Sequence, residues 1–168
     1  MHNLILSQKD LGAPFFKDSD ANFSIKVLVT GVNGQLGYDV VKRLNLLGID
    51  CIGAGRQEFD ITDRAGTEGY IINHKPDVVV HCAAYTAADQ AEVEQEQCYK
   101  TNVIGTRNIA EACSKIDAKM VYISSDYVFD GEGTEEQKED KPAVPLNYYG
   151  YTKAQGELVV KETLEKYF

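Results

Sequence analysis

The sequence predicts an α/β fold in which helices cover both faces of a parallel β-sheet. From about residue 25 onwards, short β-branched runs alternate with longer segments that have helical apolar spacing. Such alternation is typical of strand–helix–strand crossovers in a parallel sheet. The run at residues 77–82 (DVVVHC) shows almost no polar alternation, as expected of a strand that is buried on both faces.

The elements follow in order along the chain. The strands are expected at residues 25–30, 49–54, 77–82 and 119–124. The helices are expected at residues 35–47, at 63–74, at about 90–115 in one or two pieces, and from about 147 onwards. Gly48 ends the first helix. The second helix is weaker, because Gly66 and Gly69 each cost about 1 kcal/mol relative to alanine.

Residues 1–24 differ in character from the rest of the chain. They contain a short apolar run followed by polar residues, with no repeat and no sustained helical period. We interpret them as an N-terminal extension that is either disordered or not part of the natural protein. The domain is therefore expected at residues 25–168.

Composition and charge exclude several classes of protein. The chain has 168 residues, with 17 Lys and Arg against 26 Asp and Glu, a net charge of −9. This balance disfavours a nucleic-acid partner, and no apolar run approaches the ~18 residues that cross a membrane. The four cysteines are widely spaced without a C-x-x-C pair, which favours reduced thiols in the cytoplasm over a disulfide or metal framework.

The segment 30–37 (TGVNGQLG) has glycines in G-x-x-G-x-x-G spacing between the first strand and the first helix. Gly31 suits a tight turn, Gly34 a close backbone approach to a pyrophosphate, and Gly37 tight packing of the helix. The amides at the helix N-terminus then hold the anion. A glycine pattern alone can be a structural turn, but this strand–turn–helix setting favours a dinucleotide-binding, Rossmann-type sheet.

The end of the second strand bears on the choice of cofactor. An acidic residue there would bind the ribose hydroxyls of NAD, but this chain has Arg56, whose guanidinium matches a 2′-phosphate. This favours NADPH, with NADH as the alternative; Arg56 could also be a solvent-facing side chain. Two interpretations of the next segment stay open and are compatible with each other: Asp60 faces the adenine, and Thr62 caps the following helix.

Tyr149 and Lys153 are spaced i, i+4 on the last predicted helix, so they share one face. With a reference pKa near 10, tyrosine is a poor acid–base catalyst at neutral pH unless its phenolate is stabilised. A nearby ammonium and the helix N-terminus would both do so. Ser124 and Ser125 end the fourth strand at the carboxyl edge of the sheet, where ligands bind. Alternatively, the serines only end the strand and Tyr149 packs in the core.

Together these motifs resemble the dTDP-4-dehydrorhamnose reductase family of the extended short-chain dehydrogenase/reductase superfamily. The stretches that show the resemblance span nearly the whole chain after residue 24: TGVNGQLG (30–37), FDITD (59–63), PDVVVHCAAYTAADQAE (76–92), TNVIGTRNIA (101–110), YISSDYVFDG (122–131) and PLNYYGYTKAQGE (145–157). HCAAYT, and SSDYVFDG together with PLNxYGxTK, are far more specific than any glycine pattern.

The resemblance implies hydride transfer from a nicotinamide to the C4 ketone of a dTDP-linked 6-deoxyhexulose. It implies that Tyr149 is the acid, that Lys153 is its partner, and that Ser125 stands where the family often has threonine. Tyr127 is placed to touch the sugar. With Arg56 and Gly37 included, the expected cofactor-binding residues are Gly31, Asn33, Gly34, Gln35, Leu36, Gly37, Arg56, Asp60, Ile61, Ala83, Ala84, Tyr85, Asn102 and Ser124.

Family members are nearly twice as long as this chain. We therefore expect the sheet to stop before its later strands and the substrate domain to be absent, so that the chain alone has little activity. The fourth strand would then have an exposed edge, which leaves room for a homodimer. The alternatives are a non-catalytic NADP-binding regulatory subunit, like that of methionine adenosyltransferase, and a sugar-nucleotide epimerase or dehydratase of the same superfamily.

Overall fold

The computed structural model describes residues 25–132, 136, 138 and 140–168; the predicted extension at residues 1–24 lies outside them. The strands in this part of the chain are β1 (Lys26–Thr30), β2 (Asp50–Ala54), β3 (Val78–His81) and β4 (Lys119–Tyr122). They form a sheet of order β2–β1–β3–β4 in which every pairing is parallel. The predicted α/β class and Rossmann-type sheet are confirmed.

The helices fill the segments between the strands. They are α1 (Gln35–Leu46), α2 (Arg64–His74), α3 (Ala88–Ala91), α4 (Gln95–Tyr99), a π-helical segment (Lys100–Gly105), α5 (Thr106–Lys115), a 3-10 turn (Asp126–Val128) and α6 (Tyr148–Thr163). The backbone stays helical from α4 through the π segment into α5. The predicted helix at about 90–115 is therefore two pieces. Among the described helices, none is long and apolar enough to span a bilayer.

The strand order changes direction at β1. The chain adds β2 on one side of β1, then returns to add β3 and β4 on the other side. Because such crossovers are right-handed, α1 covers one face of the sheet, and α2 and α5 cover the opposite face. The crevice at the carboxyl ends of β1 and β3 is therefore the topological switch point, where open α/β sheets bind their ligands.

The main core lies between the sheet and the layer formed by α2, α5 and α6, in which α5 packs against both other helices. Side chains from strands and helices are almost fully buried there, among them Leu28, Ile71, Val79, Ile109, Met120 and Val160. Burying one such side chain contributes roughly 1.5–3 kcal/mol. This packing fixes α6, which carries the predicted catalytic pair, against the sheet.

The outer edge of β4 is paired with the end of the chain. The Met120 N–H donates to the Lys166 carbonyl over 3.1 Å, and the Phe168 N–H donates to the Met120 carbonyl over 2.9 Å. The Tyr122 N–H also donates to the Phe168 carbonyl, over 2.9 Å. The prediction of an exposed fourth-strand edge is wrong, because the chain returns from α6 to cover that edge. The argument for a homodimer through it does not hold.

Asp63, not Thr62, caps α2. The Asp63 carboxylate accepts a hydrogen bond from the Ala65 N–H at 3.1 Å. Thr62 instead donates its backbone N–H and its hydroxyl to Oδ1 of Asp60, each over 2.8 Å. The prediction that Thr62 caps this helix is therefore wrong. Thr62 holds the Asp60 carboxylate instead.

Candidate active site

A cavity of about 520 Å³ opens at the carboxyl ends of β1 and β3. This volume is within the range of small-molecule sites. Most of the predicted site residues line it: Gly31, Asn33, Gly34, Gln35, Leu36, Gly37, Arg56, Asp60, Ile61, Ala83, Ala84, Ser124, Tyr149 and Lys153. The structure thus brings together residues from the glycine-rich segment 31–37 (the glycine loop), from the segments after β2, β3 and β4, and from α6.

The glycine loop makes its wall of the cavity from backbone. Gly31 has a φ of +72°, and a Cβ there would lie 2.6 Å from the Ala83 nitrogen. A Cβ on Gly37 would lie 2.4 Å from the Gly31 carbonyl oxygen. A Cβ on Gly34 would meet that same oxygen at 3.3 Å, a much milder contact. Gly31 and Gly37 are therefore needed to build the turn, whereas Gly34 keeps the cavity wall open.

The N-terminus of α1 lies at the same wall. Its N-cap is Gly34, and no side chain caps the helix. The first-turn residues Gln35, Leu36 and Gly37 all line the cavity. Because first-turn amides have no partner within the helix and carry the positive end of its dipole, this position suits an anion.

The segment after β2 supplies two charged side chains. Arg56 and Asp60 are both exposed and both line the cavity. Hydrogen bonds from Thr62 hold the pKa of Asp60 below its usual value, and the positive charge of Arg56 adds to this effect. Nearby, the Gly55 N–H donates to Oε2 of Glu58 over 2.7 Å. This end of the cavity thus offers a guanidinium for phosphate and an ionised carboxylate for hydroxyl or amino groups.

Buried hydrogen bonds run from the glycine loop across the sheet. The Ala83 N–H donates to Oγ1 of Thr30 over 3.3 Å, and Oγ1 of Thr30 lies 2.8 Å from Nδ1 of His81. On the other side of the ring, Nε2 of His81 lies 3.2 Å from Oγ1 of Thr106. The Thr106 hydroxyl donates to the Asn102 carbonyl over 2.7 Å. The role of His81 was not predicted from the sequence; its signal is a polar ring at the end of the otherwise apolar strand VVVH.

Asn102 and Tyr85 are not among the residues that line the cavity. The Asn102 side chain accepts the Tyr85 N–H at 2.7 Å and donates to the Tyr85 carbonyl over 3.0 Å. It also donates to Oγ1 of Thr152 on α6 over 3.0 Å. These contacts hold the loop after β3 against α6. The expected role of both residues in binding cofactor stays a prediction.

Two side chains fix the start of α6. Oδ1 of Asn147 accepts the Gly150 N–H at 2.7 Å as the helix cap. Oε1 of Glu92, just after α3, accepts the Tyr148 N–H, also at 2.7 Å. A Cβ on Gly150 would lie 2.1 Å from the Tyr127 carbonyl oxygen, so the helix also packs tightly on the segment after β4. The first turn of α6 is therefore positioned from three sides.

Tyr149 lies in that first turn, 9% exposed, and faces the cavity. Its ring meets the ring of Tyr127 edge to face, with 5.5 Å between the centroids. Burial raises the pKa of Tyr149, while the neighbouring Ser125 hydroxyl lowers it. The net direction is upward, so this side chain keeps its proton at neutral pH. The expected stabilisation of the Tyr149 phenolate stays a prediction.

Lys153 is 3% exposed, one turn further along α6. Its Nζ donates to the Ile123 carbonyl over 2.5 Å and lies 4.2 Å from the centre of the Tyr122 ring. Burial lowers the pKa of Lys153 to about 8, and the negative charge of Glu157 opposes that shift. The ammonium is thus directed at the end of β4.

The two serines after β4 have different surroundings. Ser124 lines the cavity and donates its hydroxyl to Oε1 of Glu157. Ser125 is not among the lining residues; its hydroxyl donates to Oδ1 of Asp126 and accepts the Tyr127 N–H, at 3.1 and 3.2 Å. Tyr127 is 47% exposed. The predicted roles of Ser125 and Tyr127 at a substrate stay predictions.

The arrangement suits an elongated ligand with an anionic centre. The helix N-terminus lies at the glycine loop, Arg56 and Asp60 lie at one end, and Tyr149 and Lys153 lie at the other. A dinucleotide has this pattern, with a pyrophosphate between two nucleosides. Within the described ranges, no three His, Cys, Asp or Glu side chains are grouped to hold a metal ion.

Comparison with known proteins agrees with this geometry. Residues 25–168 match the family described as RmlD substrate binding domain. A dTDP-4-dehydrorhamnose reductase of Streptomyces griseus is 42% identical over 137 residues, which are 82% of this chain and 45% of that protein. The spore coat polysaccharide biosynthesis protein SpsK of Bacillus subtilis is 38% identical over 82% of this chain and 49% of that protein. The chain spans about half the length of these relatives.

Solved structures show the same backbone arrangement. The dTDP-4-dehydrorhamnose reductase of Bacillus anthracis, in complex with NADP, has a TM-score of 0.84 and 41% identity, over 86% of this chain and 52% of that chain. A UDP-glucose 4-epimerase of Thermus thermophilus has a TM-score of 0.77 at 24% identity, over 82% of this chain and 50% of that chain, and so shows the fold alone. Since the family match covers every residue from 25 to 168, the chain belongs to the RmlD substrate-binding-domain family.

Proposed function

We propose that the chain is the NADPH-binding part of a cytoplasmic dTDP-4-dehydrorhamnose reductase. The whole enzyme would reduce the C4 ketone of dTDP-4-dehydrorhamnose to the alcohol of dTDP-rhamnose. One observation supports this above all: the glycine loop, Arg56 and the Tyr149–Lys153 pair line a single cavity. The names of the similar reductases, one of them in complex with NADP, support the same choice.

The residues of the cavity fit NADPH. Gly34 leaves open the space that a pyrophosphate needs, and the first-turn amides of α1 suit its charge. Arg56 is free to approach a 2′-phosphate, because it is exposed at the cavity wall. When bound, NADPH supplies the hydride. Lys153 would bind the ribose on the nicotinamide side, since it lines the opposite end of the cavity from Arg56.

Tyr149 suits the role of proton donor. A ketone that gains a hydride becomes an alkoxide and needs a proton at its oxygen. Because burial raises the pKa of Tyr149, the phenol carries that proton at neutral pH. Its place beside Lys153 in the cavity wall favours an enzyme over a non-catalytic regulatory subunit. Ser125 would add a second hydrogen bond to the same oxygen.

The first test is the affinity for NADPH, measured from its fluorescence on titration with protein. Gly34→Val should abolish binding, because the added methyl groups fill the space for pyrophosphate. Gly69→Ala, on α2 and with nothing within 4 Å of its new Cβ, is the control and should bind like the original chain. Equal affinity of all three proteins would contradict the assignment of the glycine loop.

The same titration tests the choice of cofactor. Arg56→Ala should weaken NADPH by roughly 1–3 kcal/mol, the scale of a charge-assisted hydrogen bond, and should leave NADH unchanged. Arg64→Ala is the matched control, since Arg64 is another exposed arginine and pairs with Glu111. Equal losses for NADPH and NADH in Arg56→Ala would show that Arg56 does not read the 2′-phosphate.

Catalysis is tested by oxidation of NADPH with dTDP-4-dehydrorhamnose. Orientation of the reactants can account for ~7–11 kcal/mol of a barrier, so the 168-residue chain should show little turnover. Adding the second half of a reductase should give activity that Tyr149→Phe abolishes without weakening NADPH binding. Full turnover by the short chain, or an active Tyr149→Phe enzyme, would contradict this proposal.

A further inference from the structure

His81 is a buried polar side chain that the proposed chemistry does not use. It ends β3 and is 2% exposed. Thr30, its neighbour on β1, directly precedes the glycine loop. Thr106, on its other side, begins α5 after the π segment. The ring therefore lies between the two parts of the chain that meet at the cavity.

The hydrogen bonds define the direction of every proton around this ring. A carbonyl only accepts, so the Thr106 hydroxyl uses its single proton on the Asn102 carbonyl. Oγ1 of Thr106 must then accept from Nε2 of His81, which therefore carries a proton. In a neutral imidazole Nδ1 is then bare, and it accepts the proton of the Thr30 hydroxyl. Oγ1 of Thr30 in turn accepts the Ala83 N–H.

Further hydrogen bonds connect Asn102 with α6. Asn102, whose carbonyl accepts from Thr106, donates its side-chain amide to Oγ1 of Thr152. The Thr152 hydroxyl donates to the Tyr149 carbonyl over 2.8 Å. Buried hydrogen bonds thus connect Thr30, just before the glycine loop, with Tyr149, the proposed proton donor. Removing the imidazole would break this set at its centre.

We propose that His81 is a positioning residue, a neutral Nε2–H imidazole that holds the glycine loop and the segment after β3 in register with α6. The effect on cofactor rests on the proposed function, but the state of the ring does not. Burial agrees with this state, because together with the charge of Lys153 it lowers the pKa of His81 to about 3. A second ring proton would also point at the Thr30 hydroxyl and leave that hydroxyl without its acceptor.

Nitrogen NMR of the imidazole in the 168-residue chain tests the state of the ring without any ligand. The expected spectrum at pH 7 has a protonated Nε2 and an unprotonated Nδ1, unchanged down to pH 5. A proton on Nδ1, or titration of the ring near pH 6, would overturn the proposal. His74, whose Nδ1 lies 2.8 Å from the Tyr70 carbonyl and must therefore donate, gives an internal reference signal for a protonated Nδ1.

Two substitutions separate the two sides of the ring. His81→Asn keeps an acceptor near the position of Nδ1, whereas His81→Gln keeps a donor near that of Nε2. Since Thr30 adjoins the glycine loop, His81→Gln should weaken NADPH roughly tenfold, and His81→Asn should weaken it less. Val79→Ala removes buried volume from the same strand and the same face. It should lower the melting temperature like the other two variants without changing NADPH affinity.

Amide hydrogen exchange provides a readout that does not depend on NADPH. His81→Gln should accelerate exchange at Ala83 and Gly31 more than His81→Asn does, and Val79→Ala should accelerate neither selectively. Equal exchange and equal affinity in the three variants would show that His81 only fills space. If the original chain fails to bind NADPH while the exchange pattern appears as expected, the proposed function fails and the positioning role of His81 stands.

Discussion

The two walls of the cavity are built in opposite ways. The glycine-loop wall is backbone, and its specificity lies in atoms that are absent at Gly31, Gly34 and Gly37. The α6 wall consists of side chains, Tyr149 and Lys153, both almost fully buried. On the first wall, adding atoms should be damaging. On the second wall, removing polar atoms at constant shape should end function and leave the fold intact.

The largest expected effect is on the glycine-loop wall. Gly37→Val would drive a Cβ into the Gly31 carbonyl oxygen, which lies only 2.4 Å from the new atom and is held by the turn. We expect a loss of more than about 4 kcal/mol in the free energy of unfolding, the scale of severe buried clashes. Circular dichroism during thermal unfolding measures it. Gly34→Val, three residues earlier, should keep a melting transition, and equal damage by both would contradict the division of roles within the loop.

The second largest effect is the pH dependence of stability that comes from the imidazole of His81, between the two walls. The pKa of His81 is about 3 in the fold, against about 6.5 when unfolded. Between these values the unfolded chain binds the extra proton, so stability is present above pH 6.5 and is lost as the pH falls. The slope approaches about 1.4 kcal/mol per pH unit below pH 6, which amounts to about 2 kcal/mol between pH 6.5 and 4.5.

Urea unfolding of the original chain and of His81→Leu across this window isolates that contribution. The acidic residues titrate in both proteins, so the difference between the two curves reports the imidazole. The difference should shrink steadily towards pH 4.5. Parallel curves would show that His81 has an ordinary pKa in the fold.

On the α6 wall, loss of the Lys153 ammonium should change the affinity for NADPH rather than the stability of the fold. Lys153→Met keeps most of the buried chain length but removes the ammonium, so NADPH should weaken by roughly 1–3 kcal/mol, with little loss of stability. Because the pKa of Lys153 is about 8, the affinity of the original chain should fall as the pH rises above 8. Lys153→Met should show no such fall. Lys161→Met, at an exposed position of the same helix, should keep it.

The smallest effect lies away from both walls. Gly69→Ala on α2 should raise the free energy of unfolding by about 0.4–1 kcal/mol, because alanine restricts the unfolded chain and meets no neighbour here. Gly66→Ala on the same helix would place its Cβ 2.7 Å from Oδ2 of Asp63, the capping carboxylate. It should therefore lose part or all of that gain. Equal gains at the two positions would show that the cap is unimportant.

Local periodicity was sufficient to predict the order of strands and helices and the position of the glycine loop. Those features depend on residues that are close in the sequence, such as the run of apolar residues around Val79 that predicts β3. The contacts of Asn102 with Thr152, and of Thr30 with His81, join residues about 50 positions apart. No spacing rule reaches that far, so these hydrogen bonds of Asn102 and His81 could not be predicted from the sequence. The pairing of residues 166–168 with β4 was missed for the same reason.

The π segment at Lys100–Gly105 has a consequence for how this helix tolerates change. A π turn is equivalent to one residue inserted into an α-helix, and one residue rotates everything after it by about 100°. Asn102 within the segment contacts the loop after β3, while Ile109 beyond it packs in the main core. Deleting a single residue here would restore a regular helix, but it would turn either Asn102 from Tyr85 or Ile109 from the core. The number of residues in the π segment is therefore a structural requirement in itself.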